Sequence, residues 1–519
     1  MRDDSDSRND ALRTVAKGAG ISFLGLILSN LILYVNRLVL ARFLGVDEYG
    51  LMYLGVSILT LVMLFAGLEL PSAITRYVPF YAAKGDEKRV RGVFMSVIRI
   101  TIPLSIAAFV IMFFFSDQIA TVFFHDIALS NVLKIFSFVL PFFTLYKISE
   151  AGLVSFKRMD YCAFSRDFFR PMLTLGLMFA LLFYGLGLAG ATMSYAIGYV
   201  GMSIVAFYIL NKKLFPIMKR GGKAVTDTKK MLKYSIPLLL YGVVWSSAIK
   251  IDTLFLGAMR SAAEVGIYQT AIPTANFLGM PSLALAGVFL PVVSEMLSKK
   301  RMKEIGETYK TVSKWAFYLS FPMFLVLVFF PDAVINTLFG YEYIEAGSIL
   351  GVLAVGLLVL SFNMFSINIL SLFEKTKLMF VNGVVSLGMM AALNYALIPP
   401  YGIMGAAVAT TISYVFFTAL SIAEAYYYCR AHPFHRDIVK AFAAGLASVS
   451  LVYYATKYLF PDLNIIILGT MLAAFLALYS LLLLVLRGVG KDDILILKAI
   501  EKKTGLRIEL LRNVIKRFA

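Results

Sequence analysis

The sequence predicts an all-α polytopic membrane protein of about 14 transmembrane helices. Composition is the first observation that predicts it. Of the 519 residues, 60% are hydrophobic and only 15% are charged, whereas globular chains are roughly 45–50% apolar and about 25% charged. The second observation is a series of long apolar runs, and the third is an internal repeat. Strands are not indicated, because the runs are continuous rather than alternating with period 2.

A membrane core of about 30 Å needs roughly 20 apolar residues in a helix. Fourteen runs meet this requirement, and we number them as spans 1–14: 17–41, 49–70, 93–115, 129–154, 162–184, 187–210, 235–258, 264–292, 314–331, 347–371, 378–398, 402–428, 439–458 and 463–486. The connections are too short to hold an extramembrane domain. This argues against a membrane-embedded glycosyltransferase, which needs a sizeable outer loop bearing catalytic carboxylates.

The basic residues predict the orientation of the spans. Of the 49 Lys and Arg residues, 38 lie in the termini and alternate connections on one side, and only four lie in the connections on the other side. Under the positive-inside rule the first side is cytoplasmic, so both termini are inside. We therefore expect a multi-pass protein of the cytoplasmic cell membrane. Most of its net charge of +18 then meets the anionic inner leaflet, and nucleic acid is not needed to explain it.

An internal repeat with a period of about 215 residues groups the first twelve spans into two sets of six. The aligned pairs include Gly50 with Gly266, Asp117 with Asp332, Gly187 with Gly402, and Tyr199 with Tyr414. Because each repeat has an even number of spans, both insert in the same orientation. Transporters built in this way carry their substrate between two bundles near the membrane midplane.

The spans and their connections predict six regions. These are a cytoplasmic N-terminal lead (1–16), a first six-helix lobe (17–210), a basic cytoplasmic linker (211–234), a second six-helix lobe (235–430), two additional transmembrane helices (439–486) and a basic cytoplasmic tail (487–519). Apolar and basic residues alternate in the tail with helical spacing. The tail is therefore predicted to be an amphipathic helix on the inner leaflet.

The segment SFLGLILSNLILYVNRLVLARFLGVDEYGLM, the 6+6+2 pattern of spans and the charged tail resemble one membrane-protein family. It is the polysaccharide transporter (O-antigen flippase, Wzx-like) branch of the multidrug/oligosaccharidyl-lipid/polysaccharide (MOP) superfamily. The resemblance covers essentially the whole chain. Its local motif, between Leu40 and Leu51, reads hydrophobic-Ala-Arg-x-Leu-Gly-x-x-x-Tyr-Gly.

The resemblance implies two helical lobes around a central cavity, and translocation of isoprenoid phosphate- or pyrophosphate-linked oligosaccharide by alternating access. This activity would serve surface polysaccharide or glycoprotein biosynthesis. The implied partners are membrane lipids, the isoprenoid-linked glycan, and glycosyltransferases or a polymerase of the same pathway, and we expect a monomer. The alternative within the superfamily is a cation-coupled exporter of drugs or other small molecules, which predicts an essential deep carboxylate and dispensable basic residues.

Four cations lie deep within the spans, where each costs roughly 2.5–3.5 kcal/mol on insertion scales unless paired or hydrated. Arg37 and Lys250 lie at similar depth in the equivalent spans 1 and 7, Arg170 lies near the middle of span 5, and Lys147 lies in the inner half of span 4. For a lipid-linked substrate we predict that these cations bind the phosphate region, since Arg offers planar bidentate donors and Lys a point charge. The alternative is a set of ion pairs, such as Arg37 with Asp252.

The other polar residues of the spans are candidates for the cavity or for ion coupling: Asn36, Asp252, Glu150 and Asp167. Their spacing in the sequence also allows local pairs three residues apart, Lys147 with Glu150 and Asp167 with Arg170. No catalytic residue, metal site or cofactor is predicted, and Na⁺ or H⁺ remains open as a coupling ion.

Prolines predict where the helices bend. Pro273 and Pro281 lie in span 8, which is too long for a straight crossing, and we predict gating kinks there. Three further cations, Arg99, Arg166 and Lys314, lie near the inner ends of their spans. We expect these side chains to extend towards the membrane surface.

Overall fold

The computed structural model describes residues 2–217, 225, 227–459 and 465–489. Throughout these residues the regular elements are helical, which confirms the all-α fold class. The α-helices are α1 (Arg2–Gly67), α2 (Pro71–Ala82), α3 (Glu87–Phe114), α4 (Ser116–Gln118), α5 (Ala128–Ser137), α6 (Val139–Ser155), α7 (Met159–Ala163), α8 (Arg170–Phe183), α9 (Gly187–Ile209), α10 (Thr228–Met259), α11 (Ala262–Asn276), α12 (Met280–Ser298), α13 (Met302–Phe329), α14 (Pro331–Leu338), α15 (Ala346–Leu372), α16 (Thr376–Cys429), α17 (Ile438–Leu459) and α18 (Ile465–Val485).

In the described ranges, ten helices are long and apolar enough to cross a membrane. Two of them are double, because α1 has non-helical backbone at Gly45 and α16 at Gly402, so each contains two predicted spans. Span 5 is interrupted by a π-helical segment at Phe164–Phe169, and the last span is a shorter apolar helix in α18. With these two, the helices account for all fourteen predicted spans. The described residues end at Val489, so almost all of the predicted tail (487–519) lies outside them.

The chain divides into two compact units, Met1–Gly266 and Ile267–Ala519. In the first unit, α10 packs against α1 and α2. Span 7, which lies in α10, is therefore grouped by its contacts with spans 1–6. In the second unit, α15 packs against α16 and α13, and α17 packs against α13 and α18. The domain limits read from the sequence, including a linker at 211–234, stay predictions.

The repeat is visible in one recurring hydrogen bond. In the first unit the hydroxyl oxygens of Tyr53 and Tyr195 lie 3.2 Å apart. In the second unit the hydroxyl oxygens of Tyr268 and Thr410 also lie 3.2 Å apart. Both pairs are separated by 142 residues along the chain. The same contact therefore joins the second and sixth helices of each repeat.

A close backbone crossing occurs in the first unit between α1, just after its kink, and the start of α11. A Cβ atom on Gly50 would overlap the carbonyl oxygen of Ala262, and a Cβ atom on Gly266 would overlap the carbonyl oxygen of Val46. The two glycines are aligned by the repeat, and so are the two carbonyl groups. The crossing is therefore reciprocal, with each helix presenting the same positions to the other.

Lys314 differs from its expected position at a membrane surface. Its side chain is only 3% exposed, and its Nζ lies 3.9 Å from Oδ2 of Asp437. The reason is that the start of α17 docks on α13, where the Tyr318 hydroxyl lies 3.2 Å from the carbonyl oxygen of Asp437. Docking brings in a carboxylate that is remote in sequence. The expectation for Lys314 was therefore wrong, whereas Arg99 is exposed as expected.

Asp117 lies in the connection between spans 3 and 4 and contacts the following helix, α5. Its carboxylate accepts hydrogen bonds from the Ser130 hydroxyl and, at 2.9 Å, from the Lys134 ammonium. These two hydrogen bonds hold the pKa of Asp117 below its ordinary value. Asp332, the repeat equivalent, lies against Gly347 at the start of α15. An aspartate therefore packs onto the following helix in both repeats.

We expect Asp117→Asn to lower the melting temperature slightly at pH 7, because the amide accepts weaker hydrogen bonds than the carboxylate. The pKa of Asp117 in the folded state lies below its pKa of about 3.9 in the unfolded state. The resulting stabilisation is therefore fully present above the unfolded-state pKa and is lost as the pH falls through the folded-state pKa. Thermal unfolding at pH 7 and pH 3 checks this, with the exposed Asp47→Asn as control. A difference between wild type and Asp117→Asn that is unchanged at pH 3 contradicts the assignment.

Candidate anion-binding site

Arg37 rests on a surface of tyrosine rings in the first unit. Its guanidinium carbon lies 4.3 Å from the ring centroid of Tyr53, within the range of a cation–π interaction. Gly45, with φ of 71°, lies midway between these two residues and breaks α1, so that its second half returns alongside the first. The Tyr49 ring, 4.7 Å from that of Tyr53, completes the surface, and both rings are buried.

A second arginine rests on the neighbouring helix α9. The guanidinium carbon of Arg170 lies 4.8 Å from the ring centroid of Tyr199. The hydroxyl of Tyr195, one helical turn away on α9, lies 3.2 Å from that of Tyr53, the ring beneath Arg37. The Nε atom of Arg170 is buried without a hydrogen-bond partner in the described structure. A buried donor of this kind indicates a site for water or a ligand.

Asn36 links spans 1 and 5 beside the two arginines. Its side chain is fully buried and donates a 3.5 Å hydrogen bond to the carbonyl oxygen of Pro171. Its Oδ1 atom is buried without a hydrogen-bond partner. Asn36 therefore fixes the helix that carries Arg37 against the helix that carries Arg170, and it keeps an unused acceptor there.

Lys250 and Asp252 bring charges from α10 to the same region. The charged groups that act on Lys250 are Arg37 and Asp252. Asp252 is 1% exposed, and α10 packs against α1 along this part of the first unit. Arg37 and Lys250 therefore lie close enough for their charges to interact, while phosphate binding by the two residues stays a prediction.

We call Arg37, Arg170, Lys250 and Asp252 the deep cationic cluster. It contains three cations and one carboxylate, so it keeps an excess of two positive charges even when Asp252 is counted. Like charges at membrane depth repel in a low-dielectric environment and are costly to bury. A dianionic or monoanionic group bound between them removes this repulsion. The cluster is therefore suited to bind an anion.

Lys147 lies in a different cluster, which we call the neutral network. Its Nζ is 3.0 Å from Oε2 of Glu150, as the sequence spacing allowed. Arg166 joins the two acids, with contacts of 3.0 Å to Glu150 and 2.7 Å to Asp167. These contacts link span 4 to span 5. Because the charges of two cations and two carboxylates cancel, the network attracts an anion less strongly than the deep cationic cluster does. A substrate contact at Lys147 stays a prediction.

The expected local pair of Asp167 with Arg170 is not formed, because Asp167 binds Arg166 through both carboxylate oxygens. The cause is the π-helical segment Phe164–Phe169, whose wider turn changes which side chains face each other. Arg170 is thereby released towards Tyr199. Such π-helical turns within α-helices are frequent at functional sites.

The two prolines predicted as kinks lie on either side of a short 3-10 segment in span 8. Pro273 lies inside α11 and Pro281 lies in the first turn of α12, with a 3-10 segment at Phe277–Gly279 between them. The helix changes type between the two prolines, and a bend there stays a prediction. Its role as a gate stays a prediction.

Sequence reasoning missed the tyrosines that hold the two arginines. With 28 tyrosines in the chain, no single one stood out. A usable signal was their spacing, since Tyr49 with Tyr53, and Tyr195 with Tyr199, are pairs four residues apart that share a helix face. Such pairs opposite a buried arginine predict a cation–π surface.

The fold is shared with multispan membrane proteins of known structure. The chain is similar to Lipid II flippase MurJ in an inward closed conformation, with a TM-score of 0.72 and 17% identity over 89% of this chain and 97% of the other. It is also similar to an inward-facing multidrug resistance MATE family transporter of the MOP superfamily. That likeness has a TM-score of 0.65 and 14% identity, and covers 79% of this chain and 98% of the other. At such identities the likeness shows the fold alone.

A family model described as polysaccharide biosynthesis protein matches residues 15–297. Because this is more than half of the chain, the chain belongs to that family. A second model, described as MatE, matches residues 237–396. The resemblance to a polysaccharide flippase of the MOP superfamily is confirmed by these matches together with the relatives.

Curated relatives cover most of the chain. An uncharacterized membrane protein of Methanocaldococcus jannaschii is 25% identical over 421 residues, covering 77% of this chain and 81% of the relative. Stage V sporulation protein B of Bacillus subtilis is 22% identical over 511 residues, covering 93% and 98%. A probable low-salt glycan biosynthesis flippase, Agl15 of Haloferax volcanii, is 27% identical over 220 residues, covering 42% and 46%.

Proposed function

We propose that the protein is a flippase that moves an isoprenoid phosphate- or pyrophosphate-linked oligosaccharide across the cytoplasmic membrane by alternating access. The family membership and the names of the relatives, a glycan biosynthesis flippase among them, support this proposal. The protein acts as a transporter rather than as an enzyme. It takes membrane lipids and a lipid-linked glycan as partners and works beside glycosyltransferases of the same pathway.

The excess positive charge of the deep cationic cluster is the observation that carries this proposal. A phosphate or pyrophosphate is the constant, charged part of any lipid-linked oligosaccharide. The guanidinium groups of Arg37 and Arg170 offer paired N–H donors that match phosphate oxygens, and Lys250 adds a point charge. Tyrosine faces hold the two guanidinium groups in place, which reduces the ordering that binding requires.

A cation-coupled exporter is the second candidate function, favoured by the MatE match over residues 237–396. In that function a carboxylate such as Asp252 binds H⁺ or Na⁺ during the cycle, and the cations of the cluster are dispensable. The two functions therefore give opposite rankings of variants in the same four-residue cluster.

Translocation by purified protein in liposomes tests the proposed function. The probe is a fluorescent polyprenyl-diphosphate disaccharide, read by quenching of the label on the outer leaflet. We expect Arg170→Ala and Lys250→Ala each to lower the rate by about tenfold or more, because each removes a charge-assisted contact to phosphate. Arg99→Ala, which removes an exposed cation of span 3, should translocate normally.

Normal rates in both cluster variants, at equal amounts of inserted protein, would overturn the flippase assignment. Loss of rate in Asp252→Asn alone, with both cation variants active, would favour the cation-coupled exporter instead. The two results cannot be mistaken for unfolding, since protein recovered after solubilisation is measured in parallel.

A further inference from the structure

A second group of cations lies where α2 meets the first turns of α10, in the first unit. The guanidinium carbon of Arg76 is 4.4 Å from the ring centroid of Tyr234 and 5.6 Å from that of Tyr77. The ammonium of Lys230 is 5.3 Å from the Tyr77 ring. The two rings meet edge to face at 6.0 Å. We call Arg76, Tyr77, Lys230 and Tyr234 the inner cationic cluster.

The inner cationic cluster differs from its neighbours in its charge balance. Arg89 also lies on a tyrosine but pairs with Asp86 at 3.3 Å, and Arg158 likewise pairs with Asp160 at 2.7 Å. In the described residues no carboxylate lies within ion-pair distance of Arg76 or Lys230. Both side chains are exposed. The cluster therefore presents two positive charges that no carboxylate of the described chain neutralises.

The tyrosines fix these two charges in position. A guanidinium group stacked on a ring keeps its N–H donors in the plane, directed away from the ring, where they match phosphate oxygens. Tyrosine also favours the interface between the hydrocarbon core and water, which is the depth of a lipid headgroup. The surface is thus suited to a phosphate carried by a lipid rather than to a sugar or an apolar chain.

The two cationic clusters share the helix α10. Lys230 and Lys250 are twenty residues apart on it, which corresponds to about 30 Å along a helix axis. Arg76 and Arg37 contribute from the partner helices α2 and α1, which pack on α10. One helix therefore carries one cation group near the end predicted to be cytoplasmic and another about 30 Å further along.

We propose that the inner cationic cluster is a second binding site, which captures a lipid-borne phosphate or pyrophosphate from the inner leaflet before it reaches the deep cationic cluster. The proposal rests on the proposed function, and it adds a first station that neither the family nor the relatives assign. Tyr77 and Tyr234 act as positioning residues for Arg76, and Lys230 supplies the second charge.

Binding of radiolabelled farnesyl diphosphate to the full chain in phosphatidylcholine nanodiscs tests the proposal. All proteins carry Arg37→Ala and Arg170→Ala, so that the deep cationic cluster contributes little. Adding Arg76→Ala with Lys230→Ala should weaken binding by about tenfold or more. The matched control adds Arg89→Ala with Arg158→Ala, which removes two carboxylate-paired cations, and should change binding by less than about twofold.

Competition separates the sources of the phosphate. Displacement of the probe by phosphatidic acid in the nanodisc supports a site for any lipid phosphate monoester, and its failure supports a site selective for the diphosphate. Displacement by inorganic pyrophosphate at the same concentration overturns the lipid-borne assignment. Equal binding with and without Arg76 and Lys230, checked also with the Gln variants of both, overturns the site itself. This readout is independent of translocation, which tests the proposed function separately.

Discussion

Replacing Arg37 with alanine should lower the translocation rate by about 10- to 100-fold, the largest effect we expect from a single side chain in the deep cationic cluster. Arg37 is the member held on Tyr53, and it is also one of the charged groups that act on Lys250. Removing it therefore removes phosphate donors and lowers the positive excess of the cluster from two charges to one. The fluorescent translocation measurement in liposomes gives this value directly.

A graded series at the same place separates charge from position. Arg37→Lys keeps the charge but loses the planar donor pair, so it should recover part of the rate. Tyr53→Phe keeps the ring and loses the hydroxyl that bonds to Tyr195, so it should be close to wild type. Tyr53→Leu removes the cation–π surface and should fall between wild type and Arg37→Ala. Wild-type rates in both Arg37→Ala and Tyr53→Leu would contradict the assigned roles.

The fold could be predicted well from the sequence because membrane spans depend on a local property, the length of an apolar run. The repeat followed from aligned motifs, whereas the orientation inferred from the basic residues stays a prediction. The equivalence of spans 1 and 7 even indicated that Arg37 and Lys250 lie close together. These predictions needed only composition, spacing and the thickness of a membrane.

The site could be predicted only in part, because its details depend on contacts between distant segments. The π-helical turn that pairs Asp167 with Arg166 is invisible to an i, i+3 rule. The docking of α17 that gives Lys314 its partner joins residues more than a hundred positions apart. The tyrosines under Arg37 depend on the return of α1 at Gly45. In each case the contact depends on a backbone irregularity or on a distant segment, and a rule based on local spacing includes neither.

The second large effect concerns the reciprocal crossing of α1 and α11. Gly50→Ala should lower the free energy of unfolding by about 2–3 kcal/mol, because the added Cβ overlaps the carbonyl oxygen of Ala262 and the backbone itself must shift. Gly266→Ala should have a similar effect through Val46. Thermal unfolding of the purified protein, with ligand absent, measures both.

Gly67→Ala is the matched control, because it lies in the same helix α1 and its Cβ would meet nothing within 4 Å. Alanine has a higher helix propensity than glycine by roughly 0.5–1 kcal/mol, so the control should be neutral or slightly stabilised. A loss at Gly50 is then assigned to the crossing rather than to the change of residue type. Equal melting temperatures for Gly50→Ala and Gly67→Ala would contradict the close approach.

The double variant, Gly50→Ala with Gly266→Ala, gives the strongest test that the crossing is reciprocal. Once Gly50→Ala has pushed the two backbones apart, the space for a Cβ on Gly266 is already open, so the second substitution should add much less than it does alone. Two independent packing defects would instead add in full. A marked shortfall from additivity therefore shows one shared crossing at repeat-related positions. Small residues at such a crossing allow two helix backbones to approach closely within a membrane.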